Sequence, residues 1–211
     1  MVADGRGLMR SIAVRRVHHE SSPEACIIVD SQAIVEATRL WVERAVIGLG
    51  LCPFAESVYR RDGVRFYVSG QRTVAALMEE LRDELRYLHA ADPRQRETTL
   101  LIHPWVLADF VEFNDFLQIC DAIVEELGLE GEIQIASFHP RYQFAGTLPD
   151  DIENYTNRSP YPTLHLLREA SVERALEGVP NPESIYENNI ERMRELGIAG
   201  WRALWSDKRE A

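Results

Sequence analysis

The feature that most constrains the fold is the order of its segments, because helix-like and strand-like stretches alternate three times. Apolar residues recur at helical spacing over residues 31–48, 72–90 and 106–127. Short apolar runs typical of strands follow at residues 64–69, 98–102 and 132–138. Strands joined by helical crossovers lie parallel. The sequence therefore predicts an α/β fold with a small, mainly parallel sheet of about three strands.

Capping and helix-breaking residues set the limits of the predicted helices. Ser31 is a suitable N-cap for the first helix, which Gly48 and Gly50 are expected to end. Gly128 is a natural stop at the carboxyl end of the third helix. The three crossover helices are thereby bounded by residues of the types that helix ends require.

The length of 211 residues fits one domain, which we assign to residues 31–205. It includes a helical C-terminal extension, predicted as helices at residues 162–176 and 182–196. Residues 1–30 are predicted to be a disordered extension. Because residues 1–19 are rich in arginine and poor in acidic side chains, an organelle-targeting leader is the alternative for that stretch.

Composition narrows the partners and the compartment. The net charge of −11 disfavours nucleic acid and anionic membranes, and no apolar run approaches the ~18 residues of a membrane span. The sequence has no glycine-rich phosphate-binding loop, so no nucleotide cofactor is expected. Three cysteines without a CxxC pair favour a reducing cytoplasm: Cys26, Cys52 and Cys120.

Two predicted strands end in the same dipeptide. TTLLI runs into His103-Pro104, and EIQIASF runs into His139-Pro140. In an open parallel sheet, ligands bind outside the carboxyl ends of the strands. We therefore expect His103 and His139 to share one rim of the sheet, on strands about 4.8 Å apart, and to mark a candidate site there.

A long segment without regular periodicity, residues 140–161, follows His139. Loops longer than about 12–15 residues are usually functional or disordered, and the aromatic content of this one favours an ordered flap. On the predicted helix after it, His165 and Glu169 are four residues apart and share a face. Side chains suited to binding a small anionic molecule are Arg141, Tyr142, Asn154, Asn157, Arg158 and Arg168, although nearby carboxylates are alternative partners for the arginines.

The chain resembles a bacterial and plant family catalogued as domain of unknown function 1415. The resemblance rests on the strings WVERAVIGLGLCPFA, TTLLIHP, ASFHPRYQFAGT, ENYTNRSPYPTLHLLREASVERA and NNIERMRELG. It covers roughly residues 33–205 and is specific, because several long strings match. It implies a single domain with residues 1–30 as an extension, and it carries over no reaction.

Two chemical hypotheses follow from the residues. The first is a zinc, iron or copper site built from His103, His139 and His165, with Cys52 or an acidic flap residue as a further ligand. Its alternative is that each histidine is a satisfied core or capping residue. The second makes Cys52 a nucleophile with a rim histidine as base, although a thiol after a helix end has the unfavourable sign of the helix dipole. Its alternative is a small apolar residue packed under Pro53.

The functional expectation is an enzyme for a compact anionic substrate, metal-assisted and hydrolytic or lyase-like. Its expected catalytic residues are His103, His139, His165, Cys52 and Glu169. Two alternatives remain open at this point. One is a non-catalytic binder of a metal, haem or a metabolite, and the other is an interaction module that uses the aromatic flap.

Overall fold

A computed structural model gives the structure of residues 23–177, 181 and 184–206. The longer helices are α1 (Pro23–Trp41), α3 (Val74–Ala90), α4 (Phe110–Glu126) and α6 (Ser184–Ala203), with shorter α2 (Ala55–Arg60) and α5 (Glu169–Leu176). A π-helical segment, Val42–Ile47, continues α1, and a 3-10 turn spans Ile152–Asn157. The strands are β1 (Val64–Val68), β2 (Thr98–Ile102), β3 (Ile133–Phe138) and β4 (Thr163–Arg168).

The four strands form one mixed sheet in the order β1-β2-β4-β3. β2 is parallel to β1, whereas β4 runs antiparallel to both β2 and β3. The α/β class is confirmed. The prediction of a mainly parallel sheet of about three strands was wrong, because a fourth strand lies between β2 and β3 and runs against them.

The error arose at residues 162–176, which the sequence suggested as one helix. Only Glu169–Leu176 is helical, whereas Thr163–Arg168 is strand β4. A short apolar run such as TLHLLR does not distinguish a buried strand from a buried helix by periodicity alone. Pairing decides: β4 satisfies its backbone groups on both sides, against β2 and β3.

Helices cover both faces of the sheet and form two separate cores. Alternation along β2 shows the division, because Leu101 enters one core while Leu100 and Ile102 enter the other. The Leu101 side is filled by α3 and α4, and we call it the packed face. The Leu100 side is covered by α1, the π-helical segment and α6, and we call it the cavity face.

Helix limits match the predictions at the carboxyl ends better than at the amino ends. Gly50 and Gly128 follow their helices with φ of +64° and +67°, the left-handed conformation that glycine adopts readily. Ser31 lies inside α1, so the predicted cap there was wrong. α4 begins at Phe110 instead of residue 106, because Asp109 caps it by accepting hydrogen bonds from two backbone N–H groups.

The predicted N-terminal extension reaches into a described helix. Residues 23–30 belong to α1, which starts at Pro23, and residues 1–22 lie outside the described residues. The prediction of a leader at residues 1–19 falls outside them as well.

Candidate functional site

A cavity of about 200 Å³ lies on the cavity face, between the sheet and the segment that links α1 to α2. All four strands contribute to its floor. Its walls come from the end of α1, the π-helical segment and α2. Its apolar lining includes Trp41, Val42, Val46, Phe54, Val58, Leu100 and Leu167.

Local sequence explains why this space stays open. π-Helical turns are rare and often occur at functional sites, and here Val42 and Val46 of such a segment face the cavity. On the opposite wall, Ala136 of β3 presents only a methyl group beside His165 of β4, its cross-strand partner. A wide helical turn facing a small strand residue leaves room that side chains do not fill.

His165 is a ring without a polar partner in this cavity. It lies on an interior strand, and protein surrounds it completely apart from the surface it gives to the cavity. Its nearest aromatic neighbour is Phe138, at 6.1 Å between ring centroids. No hydrogen bond joins its imidazole to any of the described residues. Burial lowers the pKa of His165 from 6.5 to about 4, so the ring is neutral at pH 7 and offers one donor and one acceptor.

Cys52 lines the same cavity from the loop before α2. Burial raises the pKa of its thiol, and hydrogen bonds from the backbone of Phe54 and Ala55 partly oppose that rise. The sequence-based objection from the dipole of the preceding helix was therefore incomplete, because N–H groups that open the next helix point at the sulfur. The sulfur makes no direct hydrogen bond to His165, so a ligand between them would contact both.

The cavity suits an uncharged ligand. Cys52 and His165 are its ionisable side chains, and both are neutral at pH 7. Thr98 also lines it, but the Thr98 hydroxyl already donates to the Leu166 carbonyl at 2.6 Å. An unpaired ion in apolar surroundings costs many kcal/mol, whereas a neutral molecule with one hydrogen-bonding group would meet the free imidazole.

His103 and His139 lie at one end of the sheet, on the packed face. Their strands are separated by β4, and both rings stack on Phe113, at centroid distances of 5.7 and 5.1 Å. His103 Nδ1 donates to the Val106 carbonyl at 3.0 Å, which leaves Nε2 as a buried acceptor with no partner among the described residues. Burial lowers the pKa of His103 to about 4. His103 is thus a neutral ring held against a loop.

His139 is more fully bonded. Its Nδ1 accepts from the Arg141 backbone N–H at 3.0 Å, and its Nε2 donates to the Leu107 carbonyl at 3.2 Å. Burial is the main cause that lowers the pKa of His139. The ring fixes the two loops that leave β2 and β3, and both nitrogens are occupied by that task.

The structure does not assemble the three-histidine metal set. His103 and His139 contact Phe113 on the packed face, whereas His165 points to the opposite face of the sheet. Within the described ranges, no group of three or more His, Cys, Asp or Glu side chains is placed to hold a metal ion. The predicted set relied on a helical His165, and the strand alternation of β4 turns that residue away.

The flap is ordered by its own polar residues. Asn154 is buried, accepts hydrogen bonds from Phe144 N and Thr147 Oγ1, and donates to the Leu148 carbonyl at 2.7 Å. Asn157 donates to the Ser137 carbonyl at 3.2 Å. These amides hold backbone and not a ligand.

The flap arginines are engaged in the same way. Arg158 donates to the carbonyls of Tyr142 and Pro149, and its guanidinium lies 4.2 Å from the centroid of the Tyr155 ring. Arg141 donates to the Ala108 carbonyl at 2.5 Å. The Tyr142 ring packs against Phe110 and Phe144.

Arg168 and Glu169 lie at the far end of the sheet. Arg168 donates to the carbonyls of Leu88 and Ala91 at the end of α3. Glu169 follows β4, where its backbone N–H donates to the Glu132 carbonyl at 2.9 Å. The predicted pairing of Glu169 with His165 on one helical face was wrong, because the two residues are on a strand and on the helix after it.

Sequence reasoning named Cys52 and His165 but assigned them to different sets. It missed the apolar walls, including Trp41, Val46 and Ala136. The available signal was the exit loop GLGLCPF, whose glycines and proline end a helix and start another close to the sheet.

Comparison with known proteins places the chain in a family. The model described as Protein of unknown function (DUF1415) matches residues 33–203. The chain belongs to this family. The family model spans β1 to β4 and both sides of the cavity, so it includes Cys52 and His165.

Searches of curated proteins and of solved structures found no significant match. In the described part of the chain, no helix combines the length and the apolar character of a membrane span.

Proposed function

We propose that this protein binds a compact, uncharged and mainly apolar molecule in the cavity beside β4, with the free imidazole of His165 as its polar contact. The observation that carries the proposal is a neutral ring without a hydrogen-bond partner, facing an apolar space of about 200 Å³. Buried polar groups in folded proteins are normally hydrogen-bonded. A ligand that donates to or accepts from His165 would supply the missing bond.

Cavity size supports a ligand of one or two small rings. An apolar cavity of roughly 150 Å³ is large enough for benzene, and this one is somewhat larger. The sequence predicted a compact anionic substrate instead. The guanidinium groups of Arg141 and Arg158 lie outside the cavity and already donate to backbone carbonyls, so an anion there would meet no countercharge.

Calorimetric titration with indole and with benzoate tests the proposal, because the two are similar in size and differ in charge. We expect indole to bind with a Kd between about 10 µM and 1 mM at pH 7, and benzoate to bind much more weakly. Benzoate binding at least as tightly as indole would refute the proposal and favour the anionic substrate.

A filled cavity provides the matched variant. Ala136→Leu adds a larger side chain beside His165, whereas Ala170→Leu makes the same change on the exposed surface of α5. Indole affinity should fall about tenfold or more in Ala136→Leu, a loss of roughly 1.4 kcal/mol, and stay unchanged in Ala170→Leu. Equal affinity in both variants would place indole elsewhere.

A further inference from the structure

We propose that Cys52 forms a covalent bond with an electrophilic member of the same ligand class, a compact neutral molecule whose carbon–carbon double bond is conjugated to a carbonyl. This inference rests on the proposed binding function and adds a reaction to it. It stands on two side chains that line one cavity, the thiol of Cys52 and the unpartnered, enclosed imidazole of His165.

The placement of Cys52 differs from that of the other described cysteine. Cys120 lies in the packed core with 1% of its surface exposed, and burial raises the pKa of its thiol to about 12. Cys52 instead borders open space, and the backbone N–H groups of Phe54 and Ala55 are directed at its sulfur. Those groups would stabilise negative charge that develops on sulfur during attack.

The electrical character of the cavity selects the reaction. No Arg, Lys, Asp or Glu belongs to its described lining, so a step that leaves an ion behind would be costly. Conjugate addition is neutral overall. The sulfur bonds to the β-carbon, the π bond breaks, and the thiol proton ends on the α-carbon, so that nothing is oxidised, reduced or released.

His165 has a definite part in this addition. The neutral ring carries one N–H, which would donate to the ligand carbonyl while electron density moves onto that oxygen. Such a donor in a dry site stabilises the transition state more than the ground state. The absence of a direct bond between Cys52 and His165 fits this geometry, because the ligand lies between them.

The test uses N-ethylmaleimide as the electrophile and its saturated analogue N-ethylsuccinimide as the unreactive control. Mass spectrometry of peptides from the full chain follows modification of Cys52 separately from Cys26 and Cys120. We expect the rate at Cys52 to saturate with maleimide concentration, and succinimide to slow it competitively. Glutathione, which has no cavity, gives the linear reference.

Two variants report on His165. His165→Phe removes the donor, and the saturated rate should fall about 100-fold, whereas His165→Gln keeps an amide donor and should retain most of the rate. The circular dichroism spectrum of each variant verifies folding. A saturated rate unchanged by His165→Phe would overturn the role given to this residue.

The failure modes are separable. If succinimide protects Cys52 but maleimide reacts linearly and no faster than with glutathione, the binding function stands and the covalent inference is wrong. If succinimide gives no protection and indole does not bind, both are wrong. The wild-type kinetics alone decide this, so the outcome does not depend on whether a variant folds.

Discussion

The two faces of the sheet treat histidine in opposite ways. On the packed face, His103 and His139 stack on Phe113 and donate to the carbonyls of the loop after β2. On the cavity face, His165 has the same lowered pKa as His103 but borders open space without a described partner. Burial alone therefore does not separate structural from functional imidazoles. The room beside the ring does.

Neighbouring leucines on β2 give the largest test of this comparison. Leu101 is fully enclosed in the packed core, whereas Leu100 borders the cavity. Leu101→Ala should lower the free energy of unfolding by about 4 kcal/mol, and Leu100→Ala by about 3 kcal/mol or less, because fewer contacts are lost beside existing space. Urea unfolding measures both. A larger loss for Leu100→Ala would contradict the difference in packing.

Acid should expose the second difference. The pKa of His165 is about 4 in the folded protein and 6.5 as its ordinary value, so the unfolded state binds more protons between these values. Stability therefore rises with pH through this window and is lost as pH falls toward 4.

In His165→Phe, the loss of stability between pH 6.5 and pH 4 should be smaller by about 3 kcal/mol. Unfolding free energies of both proteins across this range provide the measurement. His103 retains its own acid sensitivity, so some loss remains in the variant. An identical pH dependence in the two proteins would mean that His165 finds a partner or water when protonated.

Comparing these faces also shows how far the sequence leads. The alternation of helices and strands predicts the α/β class, because β1, β2 and β3 carry clear β-branched or alternating runs between amphipathic helices. Strand β4 escapes that reasoning, since TLHLLR is apolar almost throughout and is fixed as a strand only by partners distant in the chain.

The candidate site inherits that limit. The orientation of His165 follows from the alternation of β4, which becomes visible only when the residue is known to lie on a strand. The cavity depends on the π-helical segment and on Ala136, neither of which has a local signature of open space. Cys52 and His165 were therefore recognisable as reactive residues but not as neighbours.

The flap provides a smaller contrast with the cavity. Arg158→Ala should lower the unfolding free energy by about 1–2 kcal/mol, because the carbonyls of Tyr142 and Pro149 lose their donor. Indole affinity should not change, since Arg158 does not line the cavity. Thermal unfolding and calorimetry measure these effects separately. A large loss of affinity without loss of stability would return the site to the flap.

Filling the cavity should have the smallest effect on stability and the opposite sign. Ala136→Leu should raise the unfolding free energy by about 1 kcal/mol, because the added methyl groups occupy existing space, whereas Ala170→Leu should change it by less than about 0.5 kcal/mol. A strong destabilisation by Ala136→Leu, measured by urea unfolding, would mean that the space beside His165 does not admit a side chain.

The most direct test of a ligand site on the cavity face is methyl NMR during an indole titration. Val42, Val46, Val58 and Leu100 line the cavity, and Leu101 on the packed face serves as the internal control. The account predicts saturable shifts of the lining methyl groups and a still resonance for Leu101. Shifts confined to the packed face or to the flap, or none at saturating indole, would contradict it.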